Sequence, residues 1–175
     1  MFTLKLIIKM VKIRLLTLSL IGIIAAIAYY LVTQVISKSQ QKMVAQATVT
    51  HVPDFISQQQ YFKPNTPSVF IAFHPECEHC QYEAKSLNER QHELEKAQIV
   101  MFTSEKDSLT KVFSHSYGLD TVQNIKVISD EKNELYTAFG VKTIPSIFIY
   151  NKAGKLVKQY KGETKIDAII KALND

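Results

Sequence analysis

The sequence predicts an α/β fold in which a central mixed β-sheet carries helices on both faces, preceded by one N-terminal transmembrane helix. Three observations support this prediction. Short runs of β-branched and aromatic residues alternate with longer charged segments along residues 51–175, as in sheets covered by helices. The last two apolar runs are joined by a short turn, which indicates an antiparallel hairpin. Residues 15–32 form an uncharged stretch of 18 residues.

The predicted elements follow one another without an internal repeat. Strands are predicted at residues 68–73, 98–103, 125–129, 146–150 and 156–160, with a turn at residues 151–154. Helices are predicted at residues 77–95 and 108–117, then in a short segment that Asp130 caps and that ends at Phe139, and last from about residue 165 to residue 173. Gly118 and Gly140 suit the ends of the second and third helices.

Charge is distributed unevenly along the 175 residues, whose formal net charge is +5. Residues 1–50 contain no acidic side chain and six basic ones, namely Lys5, Lys9, Lys12, Arg14, Lys38 and Lys42. The remaining residues, 51–175, carry 15 basic and 16 acidic side chains and are therefore nearly neutral. A nucleic-acid-binding domain has a basic face of its own, so we expect no nucleic-acid partner.

The apolar stretch at residues 15–32 is predicted to be a membrane anchor in contact with lipid. As a helix it reaches about 27 Å, close to the ~30 Å hydrocarbon core of a bilayer. The excess of basic residues before it predicts that residues 1–14 lie in the cytoplasm and that residues 33–175 lie outside a bacterial-type cytoplasmic membrane. Within the outer part, residues 33–50 are predicted to be a spacer and residues 51–175 the folded domain.

A cleaved signal peptide is the alternative, because Ala26-Ile27-Ala28 has the small-x-small form of a cleavage site. The apolar run is longer than a usual signal-peptide core and continues past that site. This favours an uncleaved anchor. Either interpretation exports the folded domain to the periplasmic or extracytoplasmic side.

Two cysteines, Cys77 and Cys80, stand three positions apart where a helix is predicted to begin. A disulfide between them closes a very small loop and stabilises the fold little, so reactivity explains the pair better. A sulfur at a helix start lies beside unpaired backbone N–H groups and the positive end of the helix dipole, which favours the nucleophilic thiolate. We expect Cys77 to attack a partner disulfide and Cys80 to resolve the mixed disulfide, which leaves a Cys77–Cys80 disulfide.

The two residues between the cysteines act in opposite senses on the thiolate. A protonated His79 favours the thiolate and makes the disulfide more oxidising, whereas an ionised Glu78 disfavours it. The sequence therefore leaves the redox potential open.

A C-x-x-C pair can also be half of a metal site. Histidines are present at positions 51, 74, 79, 92 and 115, but no second C-x-x-C and no H-x-x-x-H completes a zinc site. We therefore expect no metal, and interpret His51, His92 and His115 as surface residues. A zinc or copper module that uses both cysteines and a histidine is the non-enzymatic alternative.

Pro145 opens the predicted strand at residues 146–150, where it removes a ladder donor. A cis bond after Ile144 explains this position, yet most X–Pro bonds are trans. From these residues alone, a trans proline at a strand start is favoured.

Together the two motifs resemble the thioredoxin superfamily over about residues 52–175. A strand leads to C-x-x-C at a helix start, and residues 139–150 closely resemble the cis-proline strand of that family. The resemblance implies a thioredoxin-like fold, with Cys77 as nucleophile, Cys80 as resolving cysteine and Pro145 as the cis-proline. It also implies that Ile144 pairs through its backbone with bound substrate, and that the redox-active disulfide is the only redox group, without a further cofactor.

Further details are similar to the TlpA/ResA-like, redoxin branch. These are the opening residues 52–55 (VPDF), the extra strand–helix unit around residues 105–129, and Glu83 in a C-x-x-C-x-x-E pattern. This resemblance implies thiol–disulfide exchange on disulfide-containing exported proteins by a membrane-tethered reductant. Such a reductant takes electrons from a membrane donor, whereas an oxidant needs a membrane acceptor.

The sequence departs from the superfamily pattern at two positions. Glu76 replaces the usual Trp before the first cysteine, and Ile71 replaces a buried acid, so the proton acceptor for Cys80 is unassigned. Glu83 and His74 are candidates, although each is more readily interpreted as an ordinary helix-surface or loop residue. A peroxiredoxin-like thiol peroxidase is a further alternative, but His74 stands where that family has the Thr that orients peroxide.

Overall fold

The computed structural model describes residues 19–36 and 50–174. The chain divides into two compact units, Met1–Met43 and Val44–Asp175. In the first unit a single described helix, α1, runs from Ser19 to Ile36 with a mean hydropathy of 2.0 and is long and apolar enough to cross a membrane. It extends beyond the predicted end at residue 32, into the predicted spacer. The predicted cytoplasmic residues 1–14, the start of the predicted anchor and residues 37–49 of the spacer lie outside the described residues.

The second unit contains a five-stranded sheet with helices between the strands. Its strands are β1 (Ser68–Ala72), β2 (Gln98–Thr103), β3 (Ile125–Ser129), β4 (Ser146–Tyr150) and β5 (Leu156–Lys161). Its helices are α2 (Asp54–Ser57), α3 (Glu78–Glu89), α4 (Asp107–Ser116), α5 (Glu134–Ala138) and α6 (Ile166–Asn174). Two short 3₁₀ turns, Gln91–Leu94 and Leu119–Thr121, follow α3 and α4.

The strands lie in the order β3-β2-β1-β4-β5. β1 pairs in parallel with β2, and β2 with β3, whereas β4 is antiparallel to both β1 and β5. The prediction of a mixed sheet is confirmed. All five predicted strands are present, and their bounds differ by one residue at the ends of β1 and β5.

Side chains of β1 alternate between two apolar cores, as the period of a strand requires. Val69 and Ile71 point into one core with residues of α3, α4 and α6. Phe70 and Ala72 point into the other with residues of α2 and α5. All five residues of β1 are buried. The prediction that helices cover both faces is therefore confirmed, and β1 lies at the centre of the sheet.

The first helix after β1 is shorter than predicted. Residues 77–95 were expected to be one helix, but α3 ends at Glu89 and a 3₁₀ turn follows. The Nδ2 amide of Asn124 donates to the carbonyls of Leu94 and Ala97 at 2.8 and 2.9 Å. These bonds satisfy the carbonyls outside a regular helix, and the 3₁₀ turn buries Leu94.

The predicted capping of α5 by Asp130 is present. Oδ1 of Asp130 accepts the N–H of Glu134 at 2.9 Å, and Oδ2 accepts those of Leu135 and Tyr136 at 2.9 and 3.0 Å. Three of the helix's first N–H groups are thus satisfied by one carboxylate, because α5 has no earlier turn to bond them.

We expect Asp130→Ala to lower the free energy of unfolding by about 1–2 kcal/mol, since three backbone donors lose their acceptor. Urea unfolding of the full-length protein in detergent measures this. Lys132→Ala, at an exposed neighbouring position, is the control and should change stability little. Equal losses for both variants would contradict the capping role.

Candidate active site

The segment that leaves β1 is held in place before it reaches the cysteines. The N–H of Phe73 donates to the carbonyl of Phe102 at 3.0 Å. The carbonyl of Phe73 accepts the hydroxyl of Tyr136 at 2.7 Å. The segment between β1 and the cysteines therefore begins at Phe73, a residue that β2 and α5 both hold by hydrogen bonds.

Cys77 is the N-cap residue of α3, with extended backbone angles of φ −82° and ψ 114°. Its carbonyl accepts the N–H of Cys80 at 2.9 Å and that of Gln81 at 3.0 Å. Cys77 therefore lies at the start of α3, at the positive end of the helix dipole.

The two sulfurs differ in access to solvent. Cys77 is partly exposed, whereas Cys80 is fully buried, and both are free thiols. Burial raises the pKa of the Cys80 thiol, and its hydrogen bond with Cys77 and the nearby charges of Cys77 and Glu83 raise it further, against the backbone N–H of His74, which lowers it. The partly exposed sulfur of Cys77 thus lies next to the buried sulfur of Cys80, whose raised pKa keeps it protonated at neutral pH.

Pro145 lies beside the end of β1. The antiparallel register pairs Ala72 with Ser146, so the residue before β4 adjoins the segment that leads to Cys77. The Ile144–Pro145 bond is cis, as the family resemblance implied, and the trans proline favoured from the residues alone is wrong. The chain turns tightly here, and Ser146 Oγ donates to the carbonyl of Thr143 at 2.6 Å.

Ile144 packs against both apolar cores, and Cys77 packs against the first of them. Pro145 is buried, and its carbonyl accepts the N–H of Gly162 at 2.8 Å. The cis-proline segment is therefore tied to the chain that follows β5.

Glu83 is fully buried on α3, so its interpretation as a helix-surface residue is wrong. The segment between β5 and α6 covers this part of α3, and the N–H of Thr164 donates to Glu83 Oε1 at 2.6 Å. Within the described residues, Oε2 has no hydrogen-bond partner. Burial raises the pKa of Glu83 to about 7, the charge of Glu163 raises it further, and the Thr164 N–H lowers it. A carboxyl group that exchanges its proton near neutrality therefore lies close enough to Cys80 to affect its pKa.

His74, the other candidate proton acceptor, lies in the loop before α3 and is partly exposed. Its Nε2 is 3.1 Å from Glu105 Oε1, and its Nδ1 accepts the N–H of Glu76 at 3.2 Å. Both ring nitrogens thus have partners other than sulfur. The contact between this residue and Cys80 is made by the backbone.

The residues between the cysteines point outward. Glu78 and His79 are exposed, and His79 Nδ1 lies 2.5 Å from Glu163 Oε2. Glu76, in the position of the family's Trp, is exposed as well. The carboxylates of Glu76 and Glu78 therefore flank Cys77 in the chain. The imidazole of His79 is bonded to a third carboxylate, that of Glu163.

The remaining histidines lie elsewhere on the surface. His92 pairs with Glu95 and His115 with Asp120, at 3.0 and 2.9 Å, and His51 forms an isolated β-bridge with Lys155. All three are exposed, as predicted. Across residues 19–36 and 50–174, no group of three or more His, Cys, Asp or Glu side chains is arranged to hold a metal ion.

The resemblance to a known family extends over much more of the chain than the two motifs. The AhpC/TSA family matches residues 48–159, which is more than half of the sequence. This chain belongs to the AhpC/TSA family. The match confirms the redoxin branch of the thioredoxin superfamily and the prediction of an enzyme of the thiol–disulfide oxidoreductase type. The sequence matches no curated protein.

Solved structures share the AhpC/TSA protein's fold at low identity. A secreted Mycobacterium tuberculosis disulfide oxidoreductase, homologous to E. coli DsbE, is 18% identical with a TM-score of 0.54, over 62% of this chain and 81% of that one. StoA from Bacillus subtilis is 17% identical with a TM-score of 0.53, over 63% and 84%. Xanthomonas campestris bacterioferritin comigratory protein, studied for alkyl peroxide reduction, is 20% identical with a TM-score of 0.54, over 63% and 80%.

Three residues at this AhpC/TSA site were not predicted from the sequence. Tyr136 bonds to the turn before the cysteines, and Glu163 and Thr164 contact His79 and Glu83. They stand 56 or more positions after Cys80 and belong to no motif. Only the folded arrangement of α5 and the β5–α6 segment brings them to the site.

Proposed function

We propose that the protein is a membrane-tethered thiol–disulfide oxidoreductase that reduces disulfides of exported proteins through Cys77 and Cys80. The observation that carries this proposal is the asymmetry of the pair: a partly exposed sulfur at the N-cap of α3, with a buried sulfur one turn behind it. The cis bond at Pro145, next to the end of β1, supports the expectation that the backbone of Ile144 pairs with a substrate strand near the cysteines.

The proposed reaction moves two electrons from the thiols to the substrate. The Cys77 thiolate attacks one sulfur of the substrate disulfide, forms a mixed disulfide and releases the first substrate thiolate. Cys80 gives its proton to the Glu83 carboxylate and attacks the Cys77 sulfur. This second attack releases the other substrate thiolate and leaves a Cys77–Cys80 disulfide. A membrane donor returns the two electrons by thiol–disulfide exchange.

Electrostatics support the reducing direction. A disulfide is a strong oxidant when its reduced form is stabilised as a thiolate. Here burial raises the pKa of the Cys80 thiol, which disfavours a thiolate at this position of the pair. The dithiol is therefore stabilised little relative to the disulfide.

Helix α1 supports the membrane tether, since it is long and apolar enough to span a bilayer. The six basic residues of residues 1–50, four of them before the apolar stretch, favour a cytoplasmic N-terminus and an exported domain. The printed description of the M. tuberculosis protein as secreted is compatible with that side. Disulfides are kept in such compartments, so the substrates of the proposed reaction are available there.

Insulin reduction and the midpoint potential of the full-length protein in detergent test this proposal. We expect insulin disulfides to be reduced with dithiothreitol as donor, and the Cys77/Cys80 couple to have a potential near or below the about −270 mV typical of thioredoxin. A potential near about −120 mV would contradict a reductant. Inactivity towards insulin would contradict thiol–disulfide exchange altogether.

A thiol peroxidase is the second candidate, favoured by the AhpC/TSA match and the peroxide-reducing structural neighbour. In that reaction the Cys77 thiolate attacks the peroxide, becomes a sulfenic acid and releases the alcohol or water. Cys80 then condenses with it to a disulfide, with loss of water. Consumption of cumene hydroperoxide by the same preparation, without insulin reduction, would favour this candidate.

A further inference from the structure

The segment of residues 162–164, between β5 and α6, contacts three parts of the active site at once. Gly162 donates its N–H to the carbonyl of Pro145 at 2.8 Å. Glu163 bonds to His79, the residue directly before Cys80, at 2.5 Å. The N–H of Thr164 donates to Glu83 Oε1 at 2.6 Å. We call residues 162–164 the strap.

The strap has a conformation of its own that brings these contacts together. Gly162 has φ +91°, which side-chain-bearing residues rarely adopt, and Thr164 Oγ1 donates back to the Gly162 carbonyl at 3.2 Å. Thr164 is buried, whereas the Glu163 side chain is about half exposed. The Glu163 carboxylate is therefore accessible to solvent, although the next residue in the chain bonds directly to the buried Glu83.

Glu163 on the strap is the charged side chain that raises the pKa of Glu83, after the larger effect of burial and against the Thr164 N–H, which lowers it. Glu83 in turn lies close enough to Cys80, on the same helix, for its charge to raise the pKa of that thiol. The charged residues that join α3 to α6 farther along, Arg90 and Asp167, are bonded to each other at 3.0 Å. The Oε2 atom of Glu83 has no hydrogen-bond donor in the described residues. No hydrogen bond therefore stabilises the ionised carboxylate at this atom.

We propose that Glu163 is a positioning residue that, held on the strap by His79, sets the pH at which Glu83 exchanges the proton of Cys80. This inference rests on the proposed thiol–disulfide exchange and adds to it the control of its second step. The carboxylate of Glu163 opposes ionisation of Glu83, so that Glu83 still carries a proton at pH values where an isolated carboxyl group has lost it. In this role Glu163 acts on Glu83 through its charge and needs no contact with sulfur or substrate.

The resolving step is directly measurable with 5,5′-dithiobis(2-nitrobenzoate) and the reduced full-length protein in detergent. Cys77 attacks the reagent and releases one thionitrobenzoate. Cys80 then gives its proton to Glu83, displaces the second thionitrobenzoate from Cys77 and closes the disulfide. The second release is independent of reagent concentration, and its rate constant is recorded between pH 5.5 and pH 9.

For the wild type we expect this rate constant to rise with pH through an inflection near the pKa of Glu83, about 7. For Glu163→Gln we expect the inflection to move to lower pH by about half a unit or more, because a negative charge that opposes ionisation is removed. Glu95→Gln is the matched control, since it removes a carboxylate from the His92–Glu95 pair on another part of the surface. It should leave the inflection unchanged.

Glu83→Gln separates an electrostatic role of Glu163 from a structural one. With no titrating carboxyl group, the inflection should disappear, and adding Glu163→Gln to this variant should change the pH profile no further. An unchanged inflection in Glu163→Gln, with a normal wild-type profile, would overturn this inference alone. Absence of a second thionitrobenzoate release from the wild type would overturn the proposed exchange reaction instead.

Discussion

Replacing Cys80 with serine is expected to trap substrates as mixed disulfides on Cys77. The exposed sulfur at the N-cap of α3 still attacks, but no second thiol lies behind it to release the product. We expect trapped complexes to increase by about tenfold or more over the wild type, and insulin reduction to fall by about two orders of magnitude or more. Non-reducing electrophoresis of the full-length protein after incubation with oxidised insulin measures the first effect.

Cys77→Ser is the matched variant, because it removes the other sulfur of the pair and leaves Cys80 fully buried. Burial raises the pKa of the remaining Cys80 thiol, so this thiol is a poor nucleophile at neutral pH and is shielded from a substrate. We therefore expect the loss of insulin reduction without trapping. Equal trapping by the two variants would contradict the assigned order of attack.

Glu83→Gln is expected to change how the stability of the domain depends on pH. The carboxyl group is fully buried and its pKa is raised from 4.5 to about 7. Between these values the folded protein binds a proton that the unfolded chain has released, so the free energy of unfolding falls as pH rises. The full difference amounts to about 3 kcal/mol from below pH 4.5 to above pH 7. Glutamine keeps an acceptor for the Thr164 N–H and carries no titrating proton, so this part of the pH dependence should be lost.

Urea unfolding of the reduced full-length protein at several pH values measures this prediction. Above pH 7 the variant should be more stable than the wild type. Glu89→Gln is the control, since Glu89 lies on the same helix, is exposed and pairs only weakly with Lys85 at 3.8 Å. If both variants retained the wild-type slope, the protonated, buried carboxyl group would be excluded.

The sheet was predictable from the sequence because its strands are short, apolar and bounded by turn residues. Strands β2, β3 and β4 have the predicted bounds, and a fully buried strand such as β1 has the continuous apolar run that buried strands need. The redox pair was predictable for a local reason as well. A C-x-x-C spacing at a helix start carries its own chemistry.

The environment of Glu83 was not predictable, because it depends on a segment 81 residues away. On the printed sequence, Glu83 lies in a charged helix and has the pattern of a surface residue. Its burial comes from the strap and α6, which pack over α3. The cis bond at Pro145, in contrast, was implied by the resemblance of residues 139–150 to the cis-proline strand of the family, although the residues alone favoured a trans bond.

The early end of α3 at Glu89 was likewise not predictable from the sequence. Helix-forming residues continue to Glu95, and the local pattern predicts one helix. Asn124, 30 residues after Leu94, donates to the carbonyls of Leu94 and Ala97 and stabilises the end of the 3₁₀ turn that follows α3. Local propensity is overridden here by a long-range hydrogen bond.

Because β1 is the middle strand and all of its residues are buried, its amides lie in the part of the domain that opens least readily to solvent exchange. Cys77, whose side chain is partly exposed, follows the last residue of β1 by five positions. We therefore expect oxidation of the cysteine pair to change the backbone of β1 little, and structural adjustment to occur in exposed side chains such as Glu76, Glu78 and His79.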